Sequence, residues 1–256
     1  MQPDETEWLS RLAAGACFEE TGDLPPFYRQ ELTRLLCGFV DSELAGAAGF
    51  ADFINRAPGL PERIVLARIV SEKFDHARAG LALLERFGVR PDLYVAAYDW
   101  SSRLPRQADP GQRRLAGDRR LNIFHAPLES WEDVTAQMLL MGQASVLQLG
   151  DLAQGSYGPL ARMMPPIVER ERAHAEEGEQ ALSAVMAMAG GPGRAQASVD
   201  YWWPRVAASF GRQEPGAAQR HLLYRLRARD NARLLAAWRD GARDALARLG
   251  LAEPAT

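Results

Sequence analysis

Lysine is almost missing from this chain. Of the 30 lysines and arginines in 256 residues, Lys73 is the only lysine. Cysteine is nearly as scarce. Cys17 and Cys37 cannot build a disulfide framework or a metal knuckle, and Cys37 falls in an apolar helical run, so reduced thiols are expected. Long apolar runs are absent too. The richest, around Met138–Leu149, is broken by Gly142, Gln143 and Gln148, which argues against a membrane span. A formal net charge of −3 gives no basic field for nucleic acid. The opening MQPDETEW is acidic and polar, unlike a signal peptide, so a cytoplasmic protein is expected. No stretch keeps the apolar/polar alternation of a strand. Neither a Gly-rich phosphate loop, a catalytic triad nor a nucleophile elbow is present, and no flavin or nicotinamide site is visible.

What the chain does have is helical periodicity. Proline and glycine punctuation predicts one all-α domain with four core helices over about 27–55, 61–87, 130–157 and 159–189. Two flanking helices are expected over about 194–210 and 216–249. Ser130 is a suitable N-cap for the third core helix, and Pro165-Pro166 predicts a kink in the fourth.

Steps of three and four along each core helix give its inward stripe. The first runs Leu36, Phe39, Glu43, Gly46, Phe50; the second Ile69, Lys73, His76, Gly80, Leu83. The third runs Thr135, Met138, Gly142, Ser145, Leu149; the fourth Ile167, Glu171, His174, Gly178, Ala181. Three of the four stripes carry ionisable residues near mid-helix. A buried charge costs several kcal/mol unless it is paired or bound to metal, so three interruptions at one level point to a site.

The spacing of that site is informative. Residues three apart share a helix face, so Lys73 with His76, and Glu171 with His174, can each reach one point. Bundles that hold two irons use one Glu from each of two helices and Glu-x-x-His from each of the other two. Glu43 supplies a lone carboxylate, Glu171 and His174 a complete pair, and His76 half of another. Lys73 stands where the missing glutamate belongs, and Gly142 where the last carboxylate belongs.

The stretches DSELAGAAGFADFINRAP, LARIVSEKFDHARAG, NIFHAPLESWEDV, GSYGPLARMM, ERERAHAEEGEQAL and DYWWPRVAASFG carry a resemblance beyond spacing. In this order, over about residues 27–215, they resemble the phenylacetyl-CoA epoxidase catalytic-subunit family of phenylacetate catabolism. The resemblance implies a ferritin-like fold in which two irons, dioxygen and an external electron donor epoxidise the ring of a coenzyme A thioester. It places Glu43, His76, Glu171 and His174 on iron-ligand positions, and Lys73 and Gly142 on two positions that have lost theirs. It also implies a homo-oligomer, or a heterodimer with a related helical subunit.

Four readings of Lys73 follow. Its ammonium replaces the charge of iron by pairing with Glu43 or Glu171. A single metal binds Glu43, His76, Glu171 and His174, with Lys73 outside it. A deprotonated or carbamylated Lys73 regains ligand character in a two-iron oxygenase. The helix register differs, and Glu72 or Asp75 is the ligand. Iron, as one ion, two or none, is therefore open. His125 is expected in a solvent-facing loop, His221 on the surface, and Trp202-Trp203 in the core.

Overall fold

The computed structural model describes residues 5–108, 117–211 and 216–254. Its centre is two antiparallel helix pairs that form a ferritin-like bundle. Helix α2 (Pro26–Ala51) packs on α3 (Leu60–Glu85), α5 (Trp131–Leu152) packs on α6 (Gly158–Met186), and α3 meets α6. Three of these helices place proline in their first turn, where the missing N–H costs nothing. The fourth, α5, opens on Ser130, whose hydroxyl accepts from Asp133 N at 3.1 Å. Among the described residues the only strand-like pairing is an isolated bridge between Phe18 and Tyr157.

Around this core lie α1 (Glu5–Ala13), the short α4 (Pro91–Ala96), α7 (Gly191–Ser209), α8 (Ala217–Leu223) and α9 (Asn231–Leu249). Helices α7 and α9 cover α5 and bury Trp202, Trp203 and Trp238. Asp133 fastens this layer: it pairs with Arg106 at 2.7 and 3.1 Å and accepts from Ser198 Oγ and Trp202 Nε1. A second aromatic group, Trp8, Phe18 and Tyr28, seals the other end of the bundle.

The structure departs from the sequence reading in several places. The stretch 216–249 is two helices, because Arg225 takes a left-handed turn (φ 50°) and Asp151 accepts from the amides of Ala228 and Arg229. Asp230 then caps α9 by accepting from Arg233 N at 2.7 Å. Helices α1 and α4 have no counterpart among the expected elements. His125 is buried in a 3₁₀ turn (Asn122–His125), where its carbonyl accepts from Leu104 N, and does not face solvent. His221 is half-buried, 3.3 Å from Glu31, and burial followed by the charge of Arg227 pulls its pKa down to about 4. Part of the link between the two core pairs, residues 109–116, lies outside the described residues. No helix among the described residues is long and apolar enough to cross a membrane.

Candidate functional site

The ionisable residues of three inward stripes meet at mid-bundle. Glu43 from α2, Lys73 and His76 from α3, and Glu171 and His174 from α6 are all at most 7% exposed. Lys73 Nζ donates to Glu171 Oε1 at 2.8 Å and reaches Glu43 Oε2 at 3.5 Å. His76 Nδ1 lies 3.3 Å from Glu43 Oε2 and 3.5 Å from Glu171 Oε1. The lysine and both carboxylates therefore occupy one small space, with a histidine nitrogen against the same two oxygens.

Electrostatics follow from that crowding. Burial alone would pull the Lys73 pKa down, but the charges of Glu171 and Glu43 raise it above its ordinary value. Burial opposes the charging of His76 as well, yet hydrogen bonds to Glu171 and Glu43 push it up to about 9. Burial would raise Glu171, but the Lys73 charge and the hydrogen bonds of His174 and His76 hold it well below the usual carboxylate range. Lys73 and His76, both cationic at neutral pH, thus stand against the Glu43 and Glu171 side chains.

His174 is turned partly away. Its Nε2 lies 2.6 Å from Glu72 Oε2, and its Nδ1 is 3.4 Å from Glu171 Oε1. Glu72 in turn pairs with Arg68 at 2.9 Å, and Arg68 also pairs with Glu177. Glu72 therefore belongs to the site as the outer partner of His174. Asp75 points outward to Arg78. Sequence reasoning put Glu72 off the stripe; the signal for its role is the i, i+4 step from Arg68, which makes a ladder beside His174.

Gly142 sits where α5 and α6 come closest. A Cβ there would stand 2.9 Å from the Ala175 Cβ, and one on Gly178 would stand 2.5 Å from Leu139 N. The space a carboxylate at 142 would need is filled by α6 itself.

These residues do not fit a two-iron centre. Ligand atoms of Glu43, His76 and Glu171 do lie within 4.8 Å of one another, which is the donor chemistry of a metal site. Lys73, however, puts an ammonium on two of those three groups, and it offers no lone pair while protonated. Gly142 contributes no ligand, and the His174 Nε2 is engaged by Glu72.

On the other side of Glu43, between α2 and α5, lies a cavity of about 130 Å³. Its apolar wall includes Leu35, Phe39, Phe124, Met141 and Leu149, and Arg34 and Arg227 also line it.

The fold and the site define the class: a ferritin-like helical bundle with an ionisable core at mid-bundle. Comparison with known proteins gives the family. The family model described as phenylacetic acid catabolic protein matches residues 9–256, and the chain belongs to that family. One of the 1,2-phenylacetyl-CoA epoxidase subunits of Escherichia coli (strain K12) is 28% identical over 209 residues. The match covers 79% of this chain and 61% of that relative, so the chain spans under two thirds of the relative's length.

Proposed function

We propose that this chain is a divergent member of its family in which Lys73 does the electrostatic work of the lost metal, and that it serves phenylacetate-type catabolism as a binding subunit. The observation that carries this is the Lys73 ammonium, 2.8 Å from Glu171 and 3.5 Å from Glu43. Two buried carboxylates need compensating positive charge, and a bundle that lost its metal would otherwise unfold or protonate them. With Lys73 and a cationic His76 present, both buried glutamates have a protein cation against them, and Glu171 is held well below the usual carboxylate range.

The role left to such a protein is to hold ligands and partners. The cavity beside Glu43 suits an apolar ligand. The relative named above is one subunit of an epoxidase by its description, which supports pairing of this chain with a related helical subunit.

A second reading rests on the Glu43, His76 and Glu171 atoms that lie within 4.8 Å. If Lys73 swings out, these three could hold one ion, and an iron-dependent oxygenase with an external electron donor would follow.

Elemental analysis separates the two. Protein made in iron-replete cells is expected to carry no stoichiometric iron or zinc, and Lys73→Glu is expected to gain metal. Stoichiometric metal in the wild type would overturn the binding-subunit reading and favour the oxygenase.

A further inference from the structure

A second hollow lies well away from the polar centre. It opens between the start of α3, the start of α5 and the C-terminal half of α6, with a volume of about 230 Å³. Glu62, on its wall, precedes Lys73 by eleven residues on α3, roughly 16 Å along the helix.

The wall is largely apolar. Leu66 and Met138 are buried, and Val65, Trp131 and Ala181 are half-buried. The rim stays apolar where it meets solvent. Met188 is 44% exposed, and Leu60 and Ile64, next in sequence to the wall residues Pro61 and Val65, are 70% and 61% exposed. A contiguous apolar patch of this kind on a soluble surface marks a place where something binds.

Charge decides what fits there. The charged residues on the wall are Glu62 and Glu177; among the described residues no lysine, arginine or histidine lines it. Glu177 is already met by Arg68. Glu62 is not: among the described residues no cation or donor meets its carboxylate, which is half-buried yet open to solvent. Its place in the first turn of α3 favours the ionised form. The hollow therefore offers one unmet negative charge against apolar walls, and its complement is an apolar body that carries one positive charge. A cavity of about 150 Å³ takes up benzene, so this one has room for on the order of nine non-hydrogen atoms.

We propose that this hollow binds a small apolar monoamine in its ammonium form, with the charge on Glu62 and the carbon body against Leu66, Met138 and Ala181. The site is separate from the polar centre, so the proposal goes beyond the role inferred above and stands whether or not the core holds metal. An acid of the same shape is repelled by Glu62 and Glu177. An alcohol fills the same space but leaves the carboxylate without a cation.

NMR titration of the full chain with 2-phenylethylamine, 2-phenylethanol and 3-phenylpropanoate tests this. The readout is the indole N–H signal of Trp131, which a Trp131→Phe variant assigns. The amine is expected to move that signal and to bind about fivefold more tightly than the alcohol, the gain expected of one partly exposed ion pair. The acid is expected to bind more weakly than either. The preference for the amine is expected to shrink as salt is raised to roughly 0.5 M. Glu62→Gln is expected to bring amine and alcohol to equal affinity, and Ala184→Trp, which fills the hollow from its exposed rim, to abolish binding of both. Equal affinity of amine and alcohol in the wild type, an acid as tight as the amine, or an unmoved Trp131 signal at millimolar amine would overturn the proposal. Those comparisons need no variant to fold. An amine preference that survives in folded Glu62→Gln, or binding that survives in folded Ala184→Trp, would overturn it as well.

Discussion

Lys73, His76, Glu43 and Glu171 depend on one another. Each carboxylate is under 7% exposed, and each cation is held within 3.5 Å of at least one of them. Removing a single charge from such a set leaves the opposite charge buried and unmatched, which costs far more than the net worth of the intact pair. Lys73→Met keeps the length and apolar stem of the side chain but strips its charge. We expect it to lower the unfolding free energy by about 3–5 kcal/mol in urea titration. Adding Glu171→Gln should recover part of that loss, since the two residues touch and their effects are coupled. A single variant as stable as the wild type would show that Glu43 and Glu171 need no ammonium.

At the level of elements, the α5–α6 contact gives Gly142 a packing role of its own. Any side chain at 142 meets Ala175, and any at 178 meets the backbone of Met138 and Leu139. The two helices leave no free space for a side chain at 142, the position that the family resemblance put among the expected carboxylates. Gly142→Ala would gain helix propensity of about 1 kcal/mol on an exposed face. Here overpacking is expected to outweigh it, for a net loss of about 1–2 kcal/mol in thermal or denaturant melts. A more stable Gly142→Ala protein would mean that the helices part easily there, leaving room for a ligand. The sequence showed where this glycine falls on its stripe, because periodicity alone sets that. It could not show how near α6 comes, because interhelical distance depends on which side chains face each other. The break between α8 and α9 was hidden for a similar reason: Asp151, far away in sequence, takes the amides that a continuous helix would use.

For the molecule as a whole, the bundle and its polar centre were legible because buried charges on an apolar stripe are rare enough to be read directly. Glu43, Lys73, His76, Glu171 and His174 all lie at that centre. The partner of His174 was not legible, since Glu72 reaches it from beside the stripe. Nor was the cavity with Arg227, which comes from an irregular link that no periodicity predicts. The claim that joins these scales is that a protein cation, held charged, stands at the heart of the fold. A group whose pKa is raised on folding adds stability below its ordinary value, and loses it as pH rises through the folded one. For Lys73 that places the loss above 10.5. Since Lys73 is the only lysine, protein grown with ¹⁵N-lysine shows one side-chain Nζ signal by NMR, and a pH titration of that signal reads its charge directly. The account predicts an ammonium at neutral pH that stays protonated past 10.5 and is unmoved by ferrous iron. A neutral amine or carbamate at neutral pH, or a signal displaced when iron is added, would contradict it.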